Sequence, residues 1–192
     1  MNMLDGKRVA ILVTNGFEQK ELVETREALE AAGAVVQVVS PKKDRVQGFS
    51  NQEWGDMVAV ERHITEAHVE DYDALLLPGG VMNPDFLRLD PRAVAFVRDF
   101  VASGKPVAAM GHAAWVLIEA DVVRGRRMTS YRSLRSDLRN AGARWVDQEV
   151  VVDGNLVTSR WPDDLPAFEQ AIIASVAGAG GPQSQPHSSP AL

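Results

Sequence analysis

The side chains and turns with chemistry to offer sit at a few points along the chain. In residues 105–119, KPVAAMGHAAWVLIE, an apolar run from Pro106 to Met110 stops at Gly111-His112, and a helical pattern begins at once with Ala113-Ala114-Trp115. Strand, sharp turn and helix form the layout of a nucleophile elbow, which holds the turn residue at the mouth of a sheet. Helix-start N–H groups below it favour developing negative charge. The nucleophile's place falls to Gly111, which has no side chain. His112 alone among the four histidines lies on a strand-to-helix turn, though a polar residue at a helix start is its plainer reading. Glu18 opens a helix, where a carboxylate ordinarily serves the helix dipole at roughly 0.3–1 kcal/mol. Buried at a crevice, it would have a raised pKa and could act as acid or base. Gly79-Gly80 reads as a tight turn, as N–H donors aimed at an oxyanion, or as both. Asp85, in VMNPDFL, is most simply part of a turn or helix start. No His, Asp or Glu spacing suggests a metal site, and no cofactor is expected.

These residues need a frame. Residues 8–14 form a continuous apolar run, as in a strand buried on both faces of a parallel sheet. After the Asn15-Gly16 turn, residues 18–32 read as a helix with Leu22, Val23, Leu29 and Ala32 on its apolar side and Gly33 as its stop. Residues 35–39 and 72–77 are further buried strands, the second broken by Pro78-Gly79-Gly80. Residues 42–65 show no sustained period and read as short strands and loops on one edge. Pro91 suits a first helical turn, and Val94, Val97 and Val101 supply that helix's core face. Residues 127–131 read as a short strand. Leu134, Leu138 and Ala141 then mark a helix, and Asp153-Gly154 joins a hairpin between 149–152 and 156–160. Leu165, Phe168, Ile172 and Val176 line a last helix.

Strands alternating with helices imply an α/β fold, a doubly wound and mainly parallel sheet sandwiched by helices. Ligands of such sheets bind beyond the carboxyl ends of the strands. Three loops therefore converge: 15–18, 78–85 and 111–112. The expected organisation is one domain over residues 1–178 and a disordered tail over 179–192, where Gly, Pro, Ser and Gln dominate.

The length of 192 residues fits one full core, and a net charge of −6 argues against nucleic acid or an anionic membrane as partner. No stretch is long and apolar enough for a membrane span, and the N-terminus reads as a first strand, so a cytoplasmic location is expected. The chain has no cysteine, which excludes disulfides and thiolate metal sites.

Several blocks together resemble the ThiJ/PfpI family, of the class I glutamine-amidotransferase-like, flavodoxin-like fold. They are GFEQKEL at 16–22, YDALLLPGG at 72–80, NPDFLR at 83–88, KPVAAMGHAAWVLIEADVVRGRRMTSY at 105–131 and AGARWVDQEVVVDGNLVTSRWPDDLPAF at 141–168. The bacterial intracellular-protease and general-stress branch looks nearest. The resemblance implies a homodimer, sometimes built into hexamers, acting on peptides or small aldehydes as peptidase, glyoxalase or deglycase. It also implies a reactive elbow cysteine followed by histidine, with a glutamate from the first helix beside the sulfur. On this sequence Gly111 matches the cysteine, His112 the histidine and Glu18 the acid. Gly79, Gly80 and Ala113 match the backbone donors. Asp85 matches an acidic position that in some members reaches the histidine from an adjacent subunit.

Glycine cannot attack a carbonyl or form a thiohemiacetal. Three explanations stay open: an altered copy of an active enzyme, a non-catalytic relative that binds a ligand or partner, or acid–base chemistry by Glu18 and His112 through a bound water. Covalent activity is expected to be absent in each.

Overall fold

The computed structural model describes residues 2–178; the expected tail at 179–192 lies outside the described residues. In chain order the elements are β1 (Arg8–Leu12), β2 (Phe17–Glu18), α1 (Gln19–Ala31), β3 (Val35–Ser40), β4 (Arg45–Ser50) and β5 (Glu53–Ala59). Next come β6 (Arg62–His63), β7 (Ala74–Leu77), α2 (Met82–Leu87), α3 (Pro91–Ala102), β8 (Val107–Met110) and α4 (Ala114–Glu119). The chain closes with β9 (Arg127–Met128), α5 (Arg135–Asn140), β10 (Arg144–Trp145), β11 (Val150–Asp153), β12 (Leu156–Ser159) and α6 (Leu165–Gly178).

The apolar runs become the centre of a seven-stranded sheet in the order β11-β12-β8-β7-β1-β3-β6. Every pairing in it is parallel except β11 with β12, the hairpin closed at Asp153-Gly154. Alternate residues of each strand feed opposite faces. On one face Ala10, Leu12, Leu75, Leu77 and Ala109 meet residues of α3, α4 and α5. On the other, Val9, Ile11, Leu76, Ala108 and Met110 meet α1 and α6. Burial on both faces is why these strands read as unbroken apolar runs, each large side chain contributing roughly 1.5–3 kcal/mol.

Three local expectations need correction. Residues 42–65 hold a long hairpin, β4 and β5, whose turn residues Asn51 and Gln52 both have positive φ (52° and 67°). It forms a separate three-stranded sheet with β2. Most of β5 is exposed on both faces, so it shows no alternation to read. The strand expected at 127–131 shortens to β9 and pairs with β10 outside the main sheet. The elbow leads first into a 3-10 turn, Gly111–Ala113, and α4 is only six residues long. A developing charge at the elbow must therefore rely on individual N–H groups and side chains more than on a helix dipole.

Candidate active site

Parallel register sets the site. Ile11 pairs with Leu76, Leu77 with Ala109 and Met110 with Ser159, so the loops leaving β1, β7, β8 and β12 emerge side by side. They border a cavity of about 710 Å³. The first three are the loops expected to converge. The fourth brings Arg160 and Trp161, and the tip of the β4–β5 hairpin adds Phe49, Asn51 and Gln52.

Gly111 lines the cavity with φ at +59°, in the left-handed region where a side chain is strained. A Cβ built there would lie 3.3 Å from the Arg160 carbonyl oxygen and 3.7 Å from Glu21 Oε1. The acid beside the elbow is therefore Glu21, one helical turn beyond Glu18. Glu21 is 4% exposed and accepts the Gly79 N–H on Oε2 at 2.6 Å. Burial pushes its pKa up to about 8, against the pull of the Gly79 hydrogen bond and with a smaller push from the nearby Glu18 carboxylate. Glu18 also lines the cavity, but its Oε1 accepts from the Ser50 hydroxyl at 2.9 Å. Helix geometry explains the arrangement: residues 18, 21 and 25 share a side of α1, and Glu21 and Thr25 are buried beside Leu22 and Leu29.

The expected backbone donors divide. The Gly79 N–H is engaged by Glu21, so it is not open to a ligand. Gly80 (φ +77°) borders the cavity, and its N–H has no acceptor among the described residues. Ala113 is buried in the 3-10 turn, away from the cavity lining.

His112 stacks on Tyr131 with ring centroids 4.8 Å apart and meets Trp115 edge to face at 5.2 Å. Its Nε2 lies 3.4 Å from the Ser133 hydroxyl. Burial lowers its pKa, so the ring is neutral at neutral pH. Asp85 does not reach His112 within the chain. It accepts from Arg88 Nε at 3.0 Å, and the Arg88 guanidinium sits 4.8 Å over the Trp115 ring.

Two supports escaped the sequence reading. Asn83, fully buried, accepts the Thr14 N–H at 2.8 Å and donates to the carbonyls of Pro78 and Gly79 at 2.9 and 3.2 Å. It ties the loop after β1 to the loop after β7. Arg160 donates to Asp164 through Nε (2.8 Å) and Nη2 (3.1 Å), and to Asp147 through Nη1 (2.8 Å). No group of His, Asp and Glu among the described residues could hold a metal ion.

A cavity at the strand ends of a doubly wound parallel sheet, floored by an elbow turn and a buried carboxyl, defines an α/β protein with a pocket of the elbow type. The chain belongs to the DJ-1/PfpI family, whose profile matches residues 7–175. It is 45% identical over 168 residues to protein/nucleic acid deglycase 2 of Escherichia coli, covering 87% of this chain and 96% of that protein. It is 41% identical over 170 residues to general stress protein 18 of Bacillus subtilis, covering 88% and 97%. A two-domain protein of Anabaena variabilis with DJ-1/ThiJ/PfpI-like and ferritin-like domains superposes with a TM-score of 0.83 at 34% identity. That match covers 93% of this chain and 56% of the two-domain chain.

Proposed function

We propose that this chain is a small-molecule-binding member of its family in which the covalent step is absent. The observation that carries this is the elbow itself: Gly111 offers no nucleophile, while Glu21 Oε1 faces the position a side chain would occupy. The family resemblance supports a small aldehyde or a peptide as the ligand class, and similar chains are named as a deglycase and a general stress protein. The test is consumption of methylglyoxal and of a peptide by this chain and by Gly111→Cys. Negligible turnover by this chain, with thiol labelling gained in the variant, is expected; comparable turnover by the two would overturn the reading.

A second reading has one specific observation in its favour. Glu21 is poised to exchange a proton near neutrality, which suits acid–base chemistry through a bound water, with Glu21 in the role expected of Glu18. Slow turnover that disappears in Glu21→Gln would select it.

The family resemblance also supports a homodimer in the cytoplasm, in which Asp85 of one copy approaches His112 of another. Light scattering at micromolar concentration should give at least twice the monomer mass; a monomer would end that part of the proposal.

A further inference from the structure

Resting on the reading of this cavity as a small-molecule site, we propose that its ligand is an organic cation, an alkylguanidinium or alkylammonium, held between aromatic walls and the Glu18 carboxylate. Three observations converge on that charge.

The first is the charge inventory. Glu18 has no Lys, Arg or His nitrogen within ion-pair distance among the described residues, and Ser50 engages only one of its oxygens. The cation on the cavity wall is Arg160, and two carboxylates, Asp147 and Asp164, already hold it. Those two carboxylates stand outside the cavity lining and neutralise Arg160 from behind, so Glu18 is the lining carboxylate left without a counter-charge. His112, whose pKa burial lowers, does not offset it.

The second is the wall. Phe49, Tyr131 and Trp161 line the same cavity, and ring faces attract cations through their quadrupole. Within the chain the Arg160 guanidinium takes one face of Trp161, 4.4 Å from its centroid, and His112 stacks on one face of Tyr131, so a ligand meets their other faces and Phe49. The edge-to-face contact of Trp161 with Tyr131, at 6.3 Å, fixes the two rings relative to one another. Val81 and Met82 add an apolar surface for an alkyl stem.

The third is what the alternatives would leave behind. An anionic ligand would face the unpaired Glu18 carboxylate. A neutral one would leave Glu18 with the Ser50 hydroxyl as its partner and no counter-charge. A cation supplies one. At the far end, Glu21 is buried with Oε1 turned to the cavity, available to a terminal N–H or carbonyl group.

Three probes of matched shape test the proposal: butylguanidinium, the neutral butylurea and the anionic pentanoate. Amide and indole shifts of Gly80, Gly111 and Trp161 are followed by NMR as each is titrated at low salt. Butylguanidinium should bind about tenfold more tightly than butylurea and weaken as salt rises, and pentanoate should not bind. Glu18→Gln should remove that tenfold preference and leave butylurea unchanged, and Trp161→Leu should weaken the cation in a chain whose Glu18 is intact. Equal affinities for the cation and the urea, pentanoate binding best, or shifts mapping away from the cavity would overturn the cation assignment while leaving the cavity as a ligand site. No response to any probe at millimolar concentration would overturn both.

Discussion

Glu21 takes the Gly79 N–H on one carboxyl oxygen, at 2.6 Å, and turns the other toward the bare Cα of Gly111. The oxygen that accepts from Gly79 cannot also be the better place for a proton. The protonated acid therefore carries its hydrogen on Oε1, aimed into the cavity, and becomes a donor at the place where a nucleophile would stand. This contact joins α1, the loop after β7 and the elbow in one step.

Stability should depend on pH through Glu21. Its pKa is raised from 4.5 to about 8 on folding, so the folded state binds more protons than the unfolded state between those values. The contribution favours folding in acid, declines as pH rises through that window and is flat above it. Urea denaturation of Glu21→Gln at about pH 5 and about pH 8 should show that slope reduced relative to the parent chain. Gln keeps an acceptor for Gly79, so the pocket's shape is preserved. An unchanged slope would place the titrating group elsewhere.

Replacing Gly111 should cost stability. At φ +59° any side chain adds strain of roughly 1–3 kcal/mol, partly offset by the roughly 0.5–1 kcal/mol that removing a glycine saves in unfolded-state entropy. The new Cβ would also press on the Arg160 carbonyl at 3.3 Å. Gly111→Ala should therefore lose about 1 kcal/mol by chemical denaturation, and Gly111→Cys should be no more stable than the parent. A Cys variant more stable by over about 1 kcal/mol would refute the strain argument.

Asn83 should matter more than a loop asparagine ordinarily does. Asn83→Ala removes three buried hydrogen bonds, leaving the Thr14 N–H and the Pro78 carbonyl without partners and the Gly79 carbonyl with only the Glu18 N–H, at 3.3 Å. A loss of about 2–4 kcal/mol is expected. Asn83→Asp should rescue little, because its carboxylate can still accept from Thr14 but cannot donate to Pro78 and Gly79. Near-parental stability of either variant would show that this tie is dispensable.

The parallel sheet was legible because its strands are buried on both faces and so leave continuous runs such as residues 8–14 and 72–77. The hairpin at 149–160 announced itself through Asp153-Gly154. The β4–β5 hairpin did not, since its turn is Asn51-Gln52 without a glycine and β5 has no buried face to print a pattern. At the site, the elbow and its glycine were visible from the break after Met110. The resemblance pointed to Glu18, whereas Glu21 is the carboxyl that faces Gly111; a charged residue beside Leu22 on the core side of α1 was the available signal. Arg160 and Asn83 gave none: their roles depend on partners such as Asp147 and Thr14 that are distant along the chain or met only through the fold.

The tight approach at Gly80 limits how this pocket can diversify. A Cβ there would fall 2.8 Å from the Glu18 amide nitrogen and closer still to the Gly16 carbonyl oxygen, against backbone of residues 16–18 that cannot swing aside as a side chain can. Side-chain variation is thereby closed at position 80 and left to the lining side chains Phe49, Val81, Met82, Tyr131 and Trp161. A designer wishing to retune the ligand would find latitude in those five positions, while the backbone at Gly80 stays pressed against residues 16–18.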